Sequence, residues 1–511
     1  MKYIYILSVL VISLVSCKNQ EKANIVSTPE NQKKPNIVIF YVDDLGYADV
    51  GCYGAIGVET PNVDRLAQNG IRFTDAHSSA ATCTPSRYSL LTGRYAFRNN
   101  ARILPGDAPL LIKTSTLTLP KMLKKAGYKT GVIGKWHLGL GDGFINWNEE
   151  VKPGPLEIGF DYSFLLPATG DRVPTVYLEN HNVVGLEKSS PLEIDYRKPF
   201  NGEPNGIKNP ELLRQKADNQ HSKAIVNGIS RIGYQKGGEA ALWVDEEFPD
   251  VFSNKAKAFI NKNKEVPFFL YFSFHDIHVP RVPNKRFLEK SSMGVRGDAI
   301  AQMDWVTGEI IKELERLELD KNTLVIFTSD NGPVLNDGYE DEAVELLGNH
   351  KPAGPYRGGK YSAFEAGTRV PMITYWPEKI EAGESSALIS QTDYYASIAS
   401  LVNIDLEDTE AIDSRNAKEA LLNSEKSARN ILLEESLTLS LRMNNWKYIA
   451  PLVDKPAPAW LADKDIETGF KNAPQLYDLS KDEGEQNNLA ISNKELVAVM
   501  QSKIDSIVNF H

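Results

Sequence analysis

The chain has 511 residues, with 57 lysines and arginines against 67 aspartates and glutamates, for a formal net charge of −10. Hydrophobic residues make up 42% and charged residues 24%. These are ordinary globular proportions, which exclude collagenous, low-complexity and wholly disordered chains. Because a single domain rarely exceeds about 300 residues, we expect one large domain and a smaller one. Net acidity without a basic block argues against a nucleic acid partner, since phosphate binding needs clustered Lys and Arg.

The N-terminus has the features of an export signal. The apolar run after Lys2 is shorter than the roughly 20 residues that a transmembrane helix needs. It ends at Leu14-Val15-Ser16-Cys17, which resembles a bacterial lipobox whose cysteine is lipidated. We therefore predict a lipoprotein-type signal peptide over 1–17 and a polar tether over 18–35. The alternative is an ordinary secretory signal in which Cys17 is incidental. In both cases we expect an exported protein, in the periplasm or at the outer membrane, that contacts the membrane only through its N-terminal lipid.

Three apolar runs, rich in β-branched and aromatic residues, each end in polar side chains. They are Asn36–Val42 before Asp43 and Asp44, Val266–Phe274 before His275, and Thr323–Ser329 before Asp330 and Asn331. Such runs are typical of strands buried on both faces of a parallel sheet. Helical patterns lie between them over 118–126, 298–317 and 394–401, which indicates an α/β fold. Since open α/β sheets carry their sites at the carboxyl ends of strands, we expect these polar residues to share one site.

The rest of the sequence separates into an insertion and a C-terminal region. Residues 36–424 are predicted to form the large catalytic domain. Within it, residues 151–247 are rich in Asn, Pro, Gly and charge, and we interpret them as loop insertions that face the substrate. From about residue 425 the pattern changes to short strands and a final amphipathic helix over 493–508. We therefore predict a smaller α+β region over 425–511.

The stretch from Cys83 to Arg94 reads Cys-Thr-Pro-Ser-Arg-Tyr-Ser-Leu-Leu-Thr-Gly-Arg. It resembles the signature of the type I sulfatases, Cys-x-Pro-Ser-Arg followed by Leu-Thr-Gly, within the alkaline-phosphatase-like superfamily. Further similar segments occur along the chain: Asp43-Asp44, Gly134–Gly139, His275–Pro280, Ser329–Gly332, Arg357–Lys360 and Leu476–Leu479. The resemblance implies an α/β/α sandwich with a large, mostly parallel sheet and an enzyme that hydrolyses sulfate esters.

By this resemblance, Cys83 is the precursor of the nucleophile. A maturation enzyme would oxidise it to formylglycine, whose hydrate is a geminal diol. One hydroxyl of the diol attacks sulfur, and deprotonation of the other expels sulfate and restores the aldehyde. The alternative, that Cys83 is a small buried hydrophobe, does not explain the flanking Thr-Pro-Ser-Arg.

Four side chains that end predicted strands make a hard, anionic metal site: Asp43, Asp44, Asp330 and Asn331. Carboxylate and amide oxygens suit Ca²⁺ or Mg²⁺. We see no thiolate or histidine cluster in the sequence, so zinc is disfavoured. The family resemblance implies Ca²⁺ ahead of Mg²⁺, with residue 83 as a further ligand. The alternative is that these Asp and Asn residues cap helices.

The resemblance also implies which cations and bases serve the reaction. Arg87 would orient the nucleophile, and Lys135 and Lys360 would bind sulfate. His137 would take the proton that triggers sulfate release, and His278 would lie at the leaving-group oxygen, with Lys360 as a proton donor there. Lys135 and His137 would share one face if their segment is extended. Six more side chains are candidates for substrate contact: Asp171, Arg172, His275, Arg281, His350 and Arg357.

The expected substrate is a sulfated polysaccharide or its oligosaccharides, such as ulvan, carrageenan or a glycosaminoglycan. Neither the sugar nor the sulfated position follows from the sequence, because a single hydroxyl can decide binding. Two alternatives stay open. One is a phosphodiesterase or phosphonate hydrolase of the same superfamily, and the other is a non-catalytic protein that binds sulfated glycans.

Overall fold

The computed structural model describes residue 1 and residues 33–453, 456–464 and 466–510. The predicted signal peptide, Cys17 and most of the tether lie outside the described residues. Residues Lys34–His511 belong to one compact unit. Within the described part of the chain, no helix is long and apolar enough to cross a membrane.

The described residues form eight α-helices and twenty strands. The helices are α1 Pro61–Gln68, α2 Cys83–Thr92, α3 Leu119–Lys125, α4 Phe248–Asn263, α5 Gly294–Arg316, α6 Tyr394–Leu401, α7 Lys418–Leu422 and α8 Lys494–Val508. The strands are β1 Asn36–Val42, β2 Ile71–Phe73, β3 Ala76–His77, β4 Lys129–Lys135, β5 Tyr162–Leu166, β6 Leu178–Glu179, β7 Asn182–Val183, β8 Glu193–Asp195, β9 Ile225–Val226, β10 Ile229–Ser230, β11 Tyr234–Lys236, β12 Phe268–Ser273, β13 Thr323–Ser329, β14 Met372–Tyr375, β15 Gly383–Ser385, β16 Ile389–Ser390, β17 Ile431–Glu435, β18 Leu439–Met443, β19 Trp446–Ile449 and β20 Gln475–Asp478.

Ten strands form the main sheet in the order β15-β2-β14-β13-β1-β12-β4-β5-β6-β7. The five strands at its centre, from β13 to β5, are parallel, and antiparallel strands flank them. Every residue of β1 is buried, as its continuous apolar sequence predicts. Ile37, Ile39 and Tyr41 pack in a core with residues of α2, α3 and α6, whereas alternate β1 residues pack with α1, α4 and α5. The predicted α/β/α sandwich is therefore confirmed.

Residues 151–247 contribute more to the sheet than their loop-like composition indicates. Strands β5, β6 and β7 extend the main sheet, and β8 to β11 form two small two-stranded sheets. The long connections between these short strands lie near the carboxyl end of β5. This stretch is therefore part scaffold and part loop.

The C-terminal region is built on the antiparallel sheet β17-β18-β19-β20. Leu433, Leu441 and Tyr448 from this sheet share a hydrophobic core with Met500 and Ile504 of α8. The predicted smaller α+β region is therefore present. A short 3-10 helix, Ala459–Lys464, lies in the connection between β19 and β20.

Candidate active site

A small cavity of about 100 Å³ lies where β1, β4, β12 and β13 end. Six predicted site residues line it: Cys83, His137, Asp171, Arg172, His278 and Lys360. Two larger clefts, of about 860 and 910 Å³, contain neither the predicted nucleophile nor any predicted metal ligand. We therefore place the candidate site at the small cavity, in keeping with the rule for open α/β sheets.

Cys83 is the first residue of α2 and is buried. Its Sγ lies 3.3 Å from Nδ1 of His137, and Nε2 of His137 lies 2.9 Å from the carbonyl oxygen of Leu104. A ring nitrogen facing a carbonyl carries the hydrogen, which leaves Nδ1 as the acceptor that faces residue 83. Burial, and then the Lys135 charge, hold the pKa of His137 well below its usual value. His137 is therefore neutral near pH 7 and able to accept a proton.

The segment after β4 is not extended. His137 has a φ of 54°, in the left-handed region, and its carbonyl oxygen accepts a hydrogen bond of 3.0 Å from Thr84 Oγ1. The condition under which Lys135 and His137 would share one face of a strand is therefore not met. Instead the turn brings His137 to Cys83, while Lys135 donates to Asp43.

The predicted metal ligands come together. Carboxylate oxygens of Asp43, Asp44 and Asp330 lie within 4.8 Å of one another, and all three residues are fully buried. Nδ2 of Asn331 donates to Oδ1 of Asp44 over 2.8 Å. Within the described residues, Asp43 Oδ1 and Asn331 Oδ1 have no hydrogen-bond partner. Burial, and then the Asp330 charge, raise the pKa of Asp43 well above its usual value.

This donor set fits a hard divalent cation. Buried polar atoms in proteins almost always have partners, so two buried oxygens without hydrogen-bond partners beside three carboxylates fit the surroundings of a bound cation. Oxygen donors of this kind suit Ca²⁺ or Mg²⁺. Helix capping does not explain them, because the first described α-helix after Asp44 begins at Pro61 and the first after Asn331 begins at Tyr394. The capping alternative is therefore wrong.

Buried cations surround the acidic group. Nε and Nη2 of Arg87 donate to Oδ2 of Asp330 over 3.0 and 2.7 Å. Nζ of Lys360 donates to Asp44 and to Asp337, over 2.9 Å in each case. Burial alone would lower the pKa of Lys360, but Asp337 and Asp44 outweigh it and raise this pKa well above its usual value. Lys360 therefore stays positively charged beside Cys83.

His275 and His278 differ in their access to the cavity. His278 lines it, with Nδ1 2.7 Å from the carbonyl oxygen of Val279 and Nε2 3.9 Å from Asp44 Oδ2. His275 lies behind it, and neither of its ring nitrogens has a hydrogen-bond partner in the described residues. Burial, and then Lys135, lower the pKa of His275 to about 3. One ring nitrogen of each histidine lies within 4.8 Å of a carboxylate oxygen of Asp43. The sequence indicated no histidine cluster, and the fold brings two histidines together beside this acid.

Three residues predicted to contact substrate lie outside the cavity lining, and each is hydrogen-bonded to another part of the protein. Nη1 of Arg281 donates to Asp341 over 2.6 Å, and Nε2 of His350 lies 2.8 Å from Asp49 Oδ1. Arg357 donates to the carbonyl oxygen of Glu485 over 2.8 Å. None of the three lines the cavity, and the bonds they make fix loops around it.

Several side chains that line the cavity were missed by the sequence analysis: His221, Asp337, Tyr361, Trp460 and Lys464. His221 Nε2 lies 3.4 Å from Asp171 Oδ2, and Asp171 pairs with Arg172 over 2.7 Å. Tyr361 directly follows Lys360 of the motif segment, which is the one sequence signal that could have found it. Neither periodicity nor motif spacing connects His221, Asp337, Trp460 or Lys464 to Cys83.

The comparison with known families decides the assignment. The sequence model described as Sulfatase matches residues 35–404. The chain belongs to the sulfatase family. The N-acetylgalactosamine-6-O-sulfatase of Bacteroides thetaiotaomicron is 48% identical over 482 residues, which cover 94% of each chain. The enzyme class predicted from the motif, a sulfuric ester hydrolase, is thereby confirmed.

Two solved structures extend the similarity to the fold of this sulfatase. One, from work on the metabolism of multiple glycosaminoglycans by Bacteroides thetaiotaomicron, has a TM-score of 0.90 and 48% identity over 93% of this chain and 99% of that one. The other is the PsFucS1 sulfatase from Pseudoalteromonas sp., with a TM-score of 0.69 and 26% identity over 93% of this chain and 90% of that one.

Proposed function

We propose that this sulfatase removes the 6-O-sulfate of N-acetylgalactosamine units in sulfated glycans, using a formylglycine at residue 83 and a calcium ion. The observation that carries the substrate is the 48% identity to a protein named for this reaction, which spans nearly the whole chain. The buried site around Cys83 contains the cations, the base and the acidic ligands that sulfate ester hydrolysis needs.

Asp43, Asp44, Asp330 and Asn331 would hold the ion, which supplies positive charge for a sulfate oxygen and for the oxygens at residue 83. The hydrate at residue 83 supplies two hydroxyls, one for attack on sulfur and one whose loss of a proton lets sulfate leave. Arg87 holds Asp330 through two hydrogen bonds and so fixes one side of this arrangement. The same arginine is buried on α2, four residues after the nucleophile position.

His137 accepts the proton in this proposal. Its Nδ1 faces residue 83 at 3.3 Å, and the hydrogen bond from Nε2 to Leu104 keeps Nδ1 free of hydrogen. Lys135 and Lys360 carry the charge that binds the sulfate oxygens. Lys360 also stays protonated, so it would donate a hydrogen bond to the ester oxygen beside His278.

The proposal also covers the sugar contacts, the maturation of Cys83 and the location of the protein. Asp171 and Arg172, paired on one side of the cavity, would contact sugar hydroxyls. A maturation enzyme would convert Cys83 before or during export. Lipidation at Cys17, supported by the lipobox-like sequence, would hold the protein in the periplasm or at the outer membrane.

The test is sulfate release from a matched set of sugars. Protein coexpressed with a maturation enzyme is given N-acetylgalactosamine 6-sulfate, its 4-sulfate isomer, N-acetylglucosamine 6-sulfate and a phosphonate monoester, with Cys83→Ala as the control. We expect kcat/KM to be highest for N-acetylgalactosamine 6-sulfate, and no turnover by the variant. Faster hydrolysis of the phosphonate would contradict the proposal. So would the absence of all turnover when mass spectrometry finds formylglycine at residue 83, which would favour the binding-protein alternative.

A further inference from the structure

The 3-10 helix Ala459–Lys464 reaches from the C-terminal region into the wall of the cavity. Trp460 and Lys464 line the same small cavity as Cys83, His278 and Lys360. No step of the mechanism above uses either residue. Both come from a connection between two strands of the C-terminal sheet, far in sequence from the catalytic motifs.

Lys464 anchors this helix to the catalytic residues. It is buried, and its Nζ lies 3.1 Å from Asp337 Oδ1 and 3.9 Å from Asp218 Oδ2. Asp337 also accepts a hydrogen bond from Lys360, and Asp218 lies 2.7 Å from Nδ1 of His221. One lysine therefore ties the helix to Asp337 and Asp218, and these two acids balance its charge.

Trp460 presents an aromatic ring at the cavity. Its ring centroid lies 5.0 Å from that of Tyr361, at 76°, so the two rings meet edge to face. Tyr361 is buried and its hydroxyl lies 3.3 Å from Asp337, whereas Trp460 is 37% exposed. A large aromatic side chain that stays partly accessible in a cavity is typical of a residue that contacts a ligand.

The cavity lining therefore combines the aromatic ring of Trp460 with the polar side chains of Asp171, Arg172 and His221. A galacto-configured pyranose likewise combines an apolar face with polar groups. Its hydrogens on C3, C4 and C5 lie together on one face, while its hydroxyls point outward from the ring. An apolar sugar face packs on the face of an aromatic ring, whose negative charge favours the slightly positive C–H groups.

We propose that Trp460 is the platform on which the sulfate-bearing sugar ring packs, with Lys464 as the positioning residue that holds it there. This inference rests on the proposed function, because it assigns the sugar contact of that same site. Trp460 and the nucleophile line the same small cavity. A sulfate ester that reaches Cys83 therefore brings its own sugar ring close to Trp460.

The experiment measures binding without turnover, by calorimetry on Cys83→Ala protein in calcium-containing buffer. The two ligands are N-acetylgalactosamine 6-sulfate and inorganic sulfate. We expect Trp460→Ala to weaken the sugar sulfate about tenfold, as for the loss of one good aromatic contact, and to leave inorganic sulfate within about twofold. Trp460→Phe should keep most of the affinity. Phe144→Ala, which removes an exposed ring that does not line the cavity, is the matched control and should change neither affinity.

Each outcome decides the proposal. An unchanged affinity for the sugar sulfate, or an equal loss for both ligands, would overturn the platform. Failure of the parent to bind the sugar sulfate would overturn the proposed substrate and the platform together. For Lys464, we expect Lys464→Met to weaken the sugar sulfate severalfold and Lys464→Arg to restore it, at an unchanged affinity for inorganic sulfate. No difference between these two variants would overturn the positioning role.

Discussion

Two buried clusters of charge in this sulfatase use the same residue types in opposite ways. The catalytic cluster is the set Asp43, Asp44, Asp330, Asn331, Lys135 and Lys360. The bridging cluster is the set Asp75, His77, Glu365, Glu434, Arg442 and Lys447, which joins β3 and the Glu365 loop to strands β17, β18 and β19 of the C-terminal sheet.

The two clusters differ in how far their cations offset the burial of their acids. In the bridging cluster Lys447 pairs with Glu434 and Arg442 with Glu365. Burial works against these carboxylates, but the cations outweigh it and lower the pKa of both. Glu485, at the edge of this cluster, is the exception, because burial raises its pKa to about 8. In the catalytic cluster the cations lower the pKa of Asp330, but burial outweighs them at Asp43 and Asp44 and raises the pKa of both. Each cluster has a carboxylate oxygen without a hydrogen-bond partner in the described residues, Asp43 Oδ1 in one and Glu365 Oε2 in the other.

The difference teaches that charge balance, and not burial, separates a structural cluster from a binding site. A buried network whose cations balance its acids stabilises one arrangement of the chain. A network whose acids are not balanced costs stability and gains it back when a cation binds. Perturbed carboxylates beside a cavity therefore indicate function.

The largest effect is expected from the nucleophile position, Cys83, which lines the same cavity as Lys360 of the catalytic cluster. Cys83→Ala should lower kcat/KM by about 10⁴-fold or more, since loss of a nucleophile removes the covalent route. Cys83→Ser should fail as well, because a single hydroxyl cannot release sulfate by the aldehyde route. Both variants should melt within a few degrees of the parent. Sulfate release by either variant at the parental rate would remove residue 83 from the mechanism.

Asp43→Asn should separate activity from stability. We expect at least a hundredfold loss of kcat/KM, because the cation site loses a charge. The variant should lose less stability in the presence of a chelator than in calcium, since burial already disfavours the ionised carboxylate and the remaining cost is the lost partner of Lys135. Urea unfolding with and without chelator measures both losses. An equal loss in both conditions would show that Asp43 contributes nothing to an ion site.

Glu434→Gln should lower stability and leave activity unchanged. It leaves Lys447 buried without its closest partner, which should cost about 3 kcal/mol of unfolding free energy. The kcat of the folded fraction should not change, since this cluster does not line the cavity. The double variant Glu434→Gln with Lys447→Met is the control and should cost less than the two single variants together. Additive losses would mean that the pair is not coupled.

The smallest effect concerns pH. Burial lowers the pKa of His77, but its hydrogen bonds to Asp75 and Glu434 outweigh burial and raise this pKa above its ordinary value. A raised pKa in the folded state means that the contribution of His77 is fully present below about pH 6.5 and is lost as pH rises through the folded value. We expect the stability difference between the parent and His77→Gln to shrink from pH 6 to pH 9. A difference that grows with pH would contradict the pairing.

The sequence predicts the acids at the strand ends well, and it predicts poorly which residues from other segments line the cavity. The bounds of β1 and β13 agree with the predicted strands, because continuous β-branched runs that stop at acids have few other structures available. Asp43, Asp44, Asp330 and Asn331 meet because neighbouring parallel strands end at one sheet edge. These positions follow from local pattern and one topological rule.

The other cavity-lining residues depend on contacts between segments that are distant in sequence, which no local pattern contains. Trp460 and Lys464 belong to a connection in the C-terminal sheet, and His221 belongs to a long insertion. Residues wrongly placed at the cavity have the same explanation. His350 and Arg357 lie near Lys360 in sequence, but their side chains contact Asp49 and Glu485. Proximity in sequence says which residues are near, and tertiary packing decides where their side chains point.

The measurement that tests the central claim most directly is calcium binding by chelator-stripped protein, followed by calorimetry and by thermal melting. We predict that the parent and Glu434→Gln each bind about one calcium ion and melt at a higher temperature with it, whereas Asp43→Asn does neither. Absence of calcium binding by the parent, or binding that Asp43→Asn leaves unchanged, would contradict the assignment of the unsatisfied acids of the catalytic cluster to a metal site.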